Sequence, residues 1–138
     1  GLVDGLILAR LRGVDVRILL PDRPDHLLVW LASFAYADEL LDHGITVLRY
    51  LPGFMHQKVF LADDRIAGVG TANFDNRSFR LNFEVTAIAA DTGFAAEVAA
   101  MLERDFAASR AMHADELEAM PYWRMAACRA ARLLSPIL

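Results

Sequence analysis

His56 and Lys58 stand two apart, in a run reading Met55-His56-Gln57-Lys58-Val59-Phe60-Leu61-Ala62-Asp63. Gly70-Thr71-Ala72-Asn73-Phe74-Asp75 follows shortly after. On a strand, residues two apart share a face and lie about 7 Å from each other. The pattern predicts a hairpin whose second strand ends at Gly70, with Thr71 and Asn73 beside a helix N-terminus over 73–79. Such a terminus offers free N–H groups and partial positive charge to a phosphate. The first strand thus supplies an imidazole and an ammonium. Its neighbour ends in a hydroxyl, an amide and backbone donors. That set suits a phosphoryl group: Lys58 and Asn73 hold oxygens, Thr71 assists, and His56 attacks phosphorus or moves a proton.

The count of basic residues points to the same place. Of 14 Lys and Arg, Lys58 is the single lysine. Compositional bias accounts for an excess of arginine but not for the one exception. Arg is a planar fork and Lys a compact point charge on a flexible stem, so a site that needs the compact charge resists replacement. His26, His43 and His113 have no lysine two residues on and read as solvated or cap-like helix residues.

The elements that must position these groups follow from periodicity. Helical spacing and stop signals predict helices over 2–12, ending at Gly13, and over 25–43, ending at Gly44. Apolar runs predict strands over 14–20, 45–51, 54–62, 66–70 and 83–90, with turns at Pro21 to Pro24, Pro52-Gly53 and Asp63-Asp64. A long helix is expected over 93–112, then a helical tail over 113–138 broken at Pro121. The fold class is therefore α/β, a mixed sheet of about five strands flanked by helices, with a hairpin inside it.

Composition sets the outer bounds. The chain has 138 residues, 56% hydrophobic and 23% charged, which makes one domain with a real core and excludes a disordered or low-complexity chain. Net charge −4 argues against a nucleic-acid partner bound through a basic face. The lone Cys128 forms no internal disulfide and reads as a small core residue. Met101, Met112, Met120 and Met125 read as core packing. No apolar run reaches the ~18 residues of a membrane span. The first residue is Gly1, not Met, and reads as a cut from a longer protein. Residues 121–138 hold Tyr122, Trp123, Arg124, Arg129 and Arg132 with no acid. Such a tail either lies on an anionic membrane surface or packs on the domain.

The spacing H-x-K-x4-D-x6-G-[S/T]-x-N resembles the motif of the phospholipase D superfamily, with Thr71 where Ser is common. At average residue usage a chance match at one site is on the order of 10⁻⁷. Further segments resemble the C-terminal half of bacterial cardiolipin synthases: residues 75–84, Asp-Asn-Arg-Ser-Phe-Arg-Leu-Asn-Phe-Glu; residues 13–19; residues 52–56; and the end, 133–138. The resemblance covers nearly the whole chain.

It implies an α/β/α half-fold and a single domain over 1–138, the second half of a two-motif enzyme. The implied reaction joins two phosphatidylglycerols into cardiolipin and releases glycerol, through a phosphohistidine and with no cofactor or metal. One histidine attacks phosphorus and a second serves the leaving alcohol. The resemblance assigns the second role to His56, although the residues alone leave either role open. It assigns Glu84 to orienting His56. Physically, an acceptor on one ring nitrogen raises the basicity of the other. Asp63 belongs to the written motif, but alternation turns it away from His56, so a turn role is expected, with Gly70 as the other structural position. Arg77 either contacts phosphate or pairs with an acid. The missing partner is an N-terminal half or a second copy across a two-fold, and the parent is expected at the cytoplasmic membrane with this piece soluble. Two other readings stand beside this one: a one-motif phosphodiesterase or endonuclease that completes its site as a homodimer, and a non-catalytic piece that keeps the fold.

Overall fold

The computed structural model describes residues 1–23, 27–73 and 83–134. Helix α1 (Leu2–Leu11) leads to strand β1 (Arg17–Pro21), α2 (Leu27–Asp42) and β2 (Thr46–Tyr50). The hairpin β3 (Val59–Ala62) and β4 (Ile66–Gly70) follows, then β5 (Thr86–Ala89), α3 (Thr92–Ala107), β6 (Ser109–Ala111), α4 (Ala114–Glu118) and α5 (Tyr122–Leu134). The glycine stop signals act as expected. Gly13 and Gly44 take φ of 89° and 72°. Behind them Val14 N donates to Ala9 O and Ile45 N to Leu40 O, the capping bonds of a left-handed helix end.

The described strands form two three-stranded sheets, ordered β1-β2-β6 and β3-β4-β5, in place of the single sheet of about five strands expected. β1 and β2 are parallel, with Leu19 opposite Leu48 and α2 as their crossover. All other pairs are antiparallel. The extra strand is β6. Its three residues sit where a helix over 93–112 was expected, but α3 stops at Ala107 and Arg110 turns into register with Arg49. Arg110 Nη1 then donates to Glu116 at 2.7 and 2.9 Å, which fixes the strand against the following helix.

Among the described residues two apolar cores hold the layers. Val16, Phe34, Ala37, Leu40, Ile45, Val47, Met112 and Cys128 form the larger, between the first sheet, α2 and α5. The tail therefore packs on the domain through Cys128, and Ala131 is also buried. Ala67, Ala95 and Val98 form the smaller, between the hairpin and α3, with Met101 packed against it. Among the described residues Arg49 is the one buried charged residue, at 1% exposure. It donates to Pro21 O at 3.1 Å, to Ser33 Oγ at 3.2 Å and to Met112 Sδ at 3.0 Å, and lies 4.3 Å over the Phe34 ring. Burial pushes its guanidinium down to about 10.

Candidate functional site

The site is built where the β3–β4 hairpin opens. The expected strand over 54–62 begins only at Val59. The last ladder-like bond is Gly70 N donating to Lys58 O at 2.9 Å. Beyond it the opposite chain leaves: Thr71 N donates to Val85 O at 3.0 Å, and Val85 N donates to Thr71 Oγ1 at 3.0 Å. Residues 54–58 thus lose their strand partner and run as an irregular arm carrying His56 and Lys58.

Gly70 permits this crossing of chains. A Cβ there would lie 2.4 Å from Thr86 Oγ1 and 2.6 Å from Val85 O, the second of which is backbone that cannot swing aside. The motif glycine is thus demanded by close approach. Asp63 and Asp64 occupy the opposite end of the hairpin, with φ of 52° and 51°, in a turn closed by Arg65 N donating to Ala62 O at 3.1 Å. Aspartate tolerates this left-handed backbone. β3 lies between Asp63 and Lys58, so about 13 Å of strand separates the turn from the site.

His56 is exposed, and its ring stacks on Phe54 with centroids 5.4 Å apart. Lys58 Nζ donates to the carbonyl of His56 at 2.8 Å, so the ammonium is folded toward the histidine's backbone. Thr71 Oγ1 donates to Glu84 Oε2 at 2.5 Å. Asn73 is exposed, two residues past Thr71. The structure therefore gathers Lys58, Gly70, Thr71 and Glu84 on three adjoining backbone segments, with His56 on the arm next to them. Glu84 Oε2 accepts from Thr71 Oγ1, and among the described residues no hydrogen bond reaches the His56 ring. The hydroxyl is held next to the carboxylate because Thr71 and Val85 are paired, and Glu84 directly precedes Val85.

Arg77 and the helix expected over 73–79 fall mostly or wholly outside the described residues, as do His26 and 135–138. His43 Nδ1 lies 2.7 Å from Glu39 O, the cap-like place expected of it, and His113 is exposed. One contact was not anticipated: Gln57, between the two motif residues, donates from Nε2 to Asp105 Oδ2 at 2.7 Å. A polar pair 48 residues apart carries no periodic signal that would have revealed it.

Comparison with known proteins bears on this arrangement. The family described as "Cardiolipin synthase, PLD-like domain" matches residues 1–106. Cardiolipin synthase A of Pseudomonas aeruginosa (strain LESB58) is 55% identical over 133 residues, 96% of this chain and 27% of the relative. Cardiolipin synthase A of Pseudomonas fluorescens (strain Pf-5) is 54% identical over 133 residues, again 96% of this chain and 28% of the relative. The chain thus spans little more than a quarter of the length of these curated relatives. The solved structure of a phospholipase D family member, Nuc from Salmonella typhimurium, matches with a TM-score of 0.72 at 22% identity, covering 80% of this chain and 72% of that one. At that identity the likeness concerns the fold. The family match covers most of the chain and includes the whole His56-to-Glu84 constellation, so this chain belongs to the phospholipase D-like domain family of cardiolipin synthases.

Proposed function

We propose that this chain is the second half of a two-motif phosphatidyltransferase that converts two phosphatidylglycerols into cardiolipin and glycerol. The observation that supports it best is the hairpin opening, where Lys58, Gly70 and Thr71 meet beside His56. In the reaction, a histidine of the other half attacks lipid phosphorus. A P–N bond forms as the P–O bond to glycerol breaks, and His56 gives its proton to the departing oxygen. The hydroxyl of a second phosphatidylglycerol then returns a proton to His56 and attacks phosphorus, and the P–N bond breaks. Positioned proton transfer of this kind contributes about 10²–10⁴-fold. Lys58 and Asn73 stabilise the phosphoryl oxygens, with Thr71 beside them. Glu84, whose carboxylate accepts from Thr71 Oγ1, is the acceptor assigned to orienting His56 in this reading.

The substrate is an anionic lipid, and the surface offers a place for its bilayer. Tyr122 and Trp123, at 91% and 74% exposure, open α5, whose other face is buried on the domain. Aromatic side chains at the start of a segment with three arginines and no acid suit a headgroup layer. Among the described residues no helix is long and apolar enough to cross a membrane. We propose the cytoplasmic membrane as the location of the parent, with this half on its surface.

The test measures turnover of phosphatidylglycerol vesicles and of DNA, by the chain alone and by the chain joined to the remainder of its parent. Cardiolipin formed only by the joined protein is the expected result. DNA cleavage by a dimer of the chain, with no cardiolipin from either form, would overturn the proposal in favour of a one-motif nuclease.

A further inference from the structure

The arm over 54–58 carries the motif histidine and lysine and makes several contacts within itself. Phe54 stacks on His56, Lys58 reaches back to the His56 carbonyl, and Gln57 Nε2 lies 3.9 Å from Met55 Sδ. Gly70 holds the arm only at Lys58. Among the described residues, one hydrogen bond ties 51–57 to another element: Gln57 Nε2 to Asp105 Oδ2, at 2.7 Å. An amide donating to a carboxylate is a charge-assisted bond, stronger than a neutral one.

Asp105 is itself held firmly. It lies in the last turn of α3, and its carbonyl accepts from Ser109 Oγ at 2.6 Å. Two residues before it, Glu103 Oε1 accepts from Arg17 Nη1 of β1 at 2.9 Å. One residue after it, the Phe106 ring lies 4.8 Å beneath the same guanidinium. Upstream, α3 packs on the hairpin through Ala95 and Val98. The helix therefore touches both sheets, which share no ladder among the described strands, and Asp105 projects its position onto the residue between His56 and Lys58.

We propose that Asp105 is a positioning residue that acts through Gln57, setting where the arm holds His56 and Lys58 relative to the Thr71 end of β4. This rests on the phosphatidyltransferase reading for its kinetic test. Misplacing reacting groups by about 1 Å costs up to 10²-fold in rate without changing what binds. Asn at position 105 keeps an acceptor oxygen for the Gln57 amide, whereas Ala does not.

In the full-length parent acting on phosphatidylglycerol vesicles, Asp105→Ala should lower kcat about tenfold with KM within about twofold. Asp105→Asn should recover most of that loss. Gln57→Ala should match Asp105→Ala, and the double variant should lose no more than either, since both act through one bond. Wild-type kcat in both single variants, or losses that multiply in the double, would overturn the proposal. A parent that makes no cardiolipin would instead count against the function, and the positioning role is then read on the 138-residue chain by NMR. There the Phe54–His56 ring contact should weaken in Asp105→Ala and persist in Asp105→Asn. An unchanged ring contact in Asp105→Ala would contradict the proposal, whatever the reaction.

Discussion

Lys58 donates to a carbonyl of its own arm, and its partner in that bond is the residue expected to handle protons. The chain's single lysine makes this contact unusually easy to observe, because amine labelling reports on one side chain and the N-terminus. A phosphate anion seated at the hairpin opening competes with the carbonyl for the ammonium. A seated anion shields the amine and so slows acylation. Labelling of Lys58, followed by peptide mapping, should therefore slow as inorganic phosphate is added. An unchanged rate at saturating phosphate would contradict a phosphate-holding role. Lys58→Arg should fold yet lose turnover in the parent, since the fork is larger and differently aimed.

At the scale of elements, Arg49 joins β2 to the end of β1 through Pro21, to α2 through Ser33 and Phe34, and to the segment after β6 through Met112. Its lowered guanidinium value means that burial opposes the charge, so its contribution comes from packing and bond geometry more than from electrostatics. Arg49→Ala, which removes both, should lower the unfolding free energy by about 3 kcal/mol. Arg49→Met keeps the volume and discards the charge, and should cost no more than about 1.5 kcal/mol. Urea denaturation distinguishes them, and equal losses would contradict a packing role. Neither Arg49 nor β6 was legible in the sequence. Arg49 alternates with Ile45 and Val47 on one strand face, yet an arginine reads by its charge as solvent-facing. Ser109, Arg110 and Ala111 continue an apolar helical period, and only pairing with β2 makes them a strand. The helix ends at Gly13 and Gly44, the hairpin and its Asp63-Asp64 turn were legible, because each depends on local backbone chemistry. The candidate site was legible as residue types and spacing. Its irregular arm was not, because residues 54–58 fail as a strand only through loss of a neighbour that departs at Thr71.

At the scale of the whole molecule, the acidic balance of −4 coexists with an acid-free C-terminal segment whose helix starts on exposed Tyr122 and Trp123. Arginines near an anionic surface are worth about 1 kcal/mol each and are screened by salt. The chain should therefore sediment with phosphatidylglycerol vesicles at low ionic strength and release as salt rises, and Trp123→Ala should weaken that binding. Equal recovery with neutral vesicles would contradict the reading. The proposed reaction also requires a second histidine, since one imidazole cannot both hold the phosphoryl group and serve the leaving alcohol. This chain's contribution to that pair is His56. The most direct measurement is cardiolipin formation from phosphatidylglycerol by the full-length parent and its His56→Ala variant, with thermal unfolding of both. Turnover should fall by about 10³-fold or more with an unchanged melting temperature, because His56 lies exposed on the arm. A variant that keeps its turnover while folded would contradict the proposed role of His56.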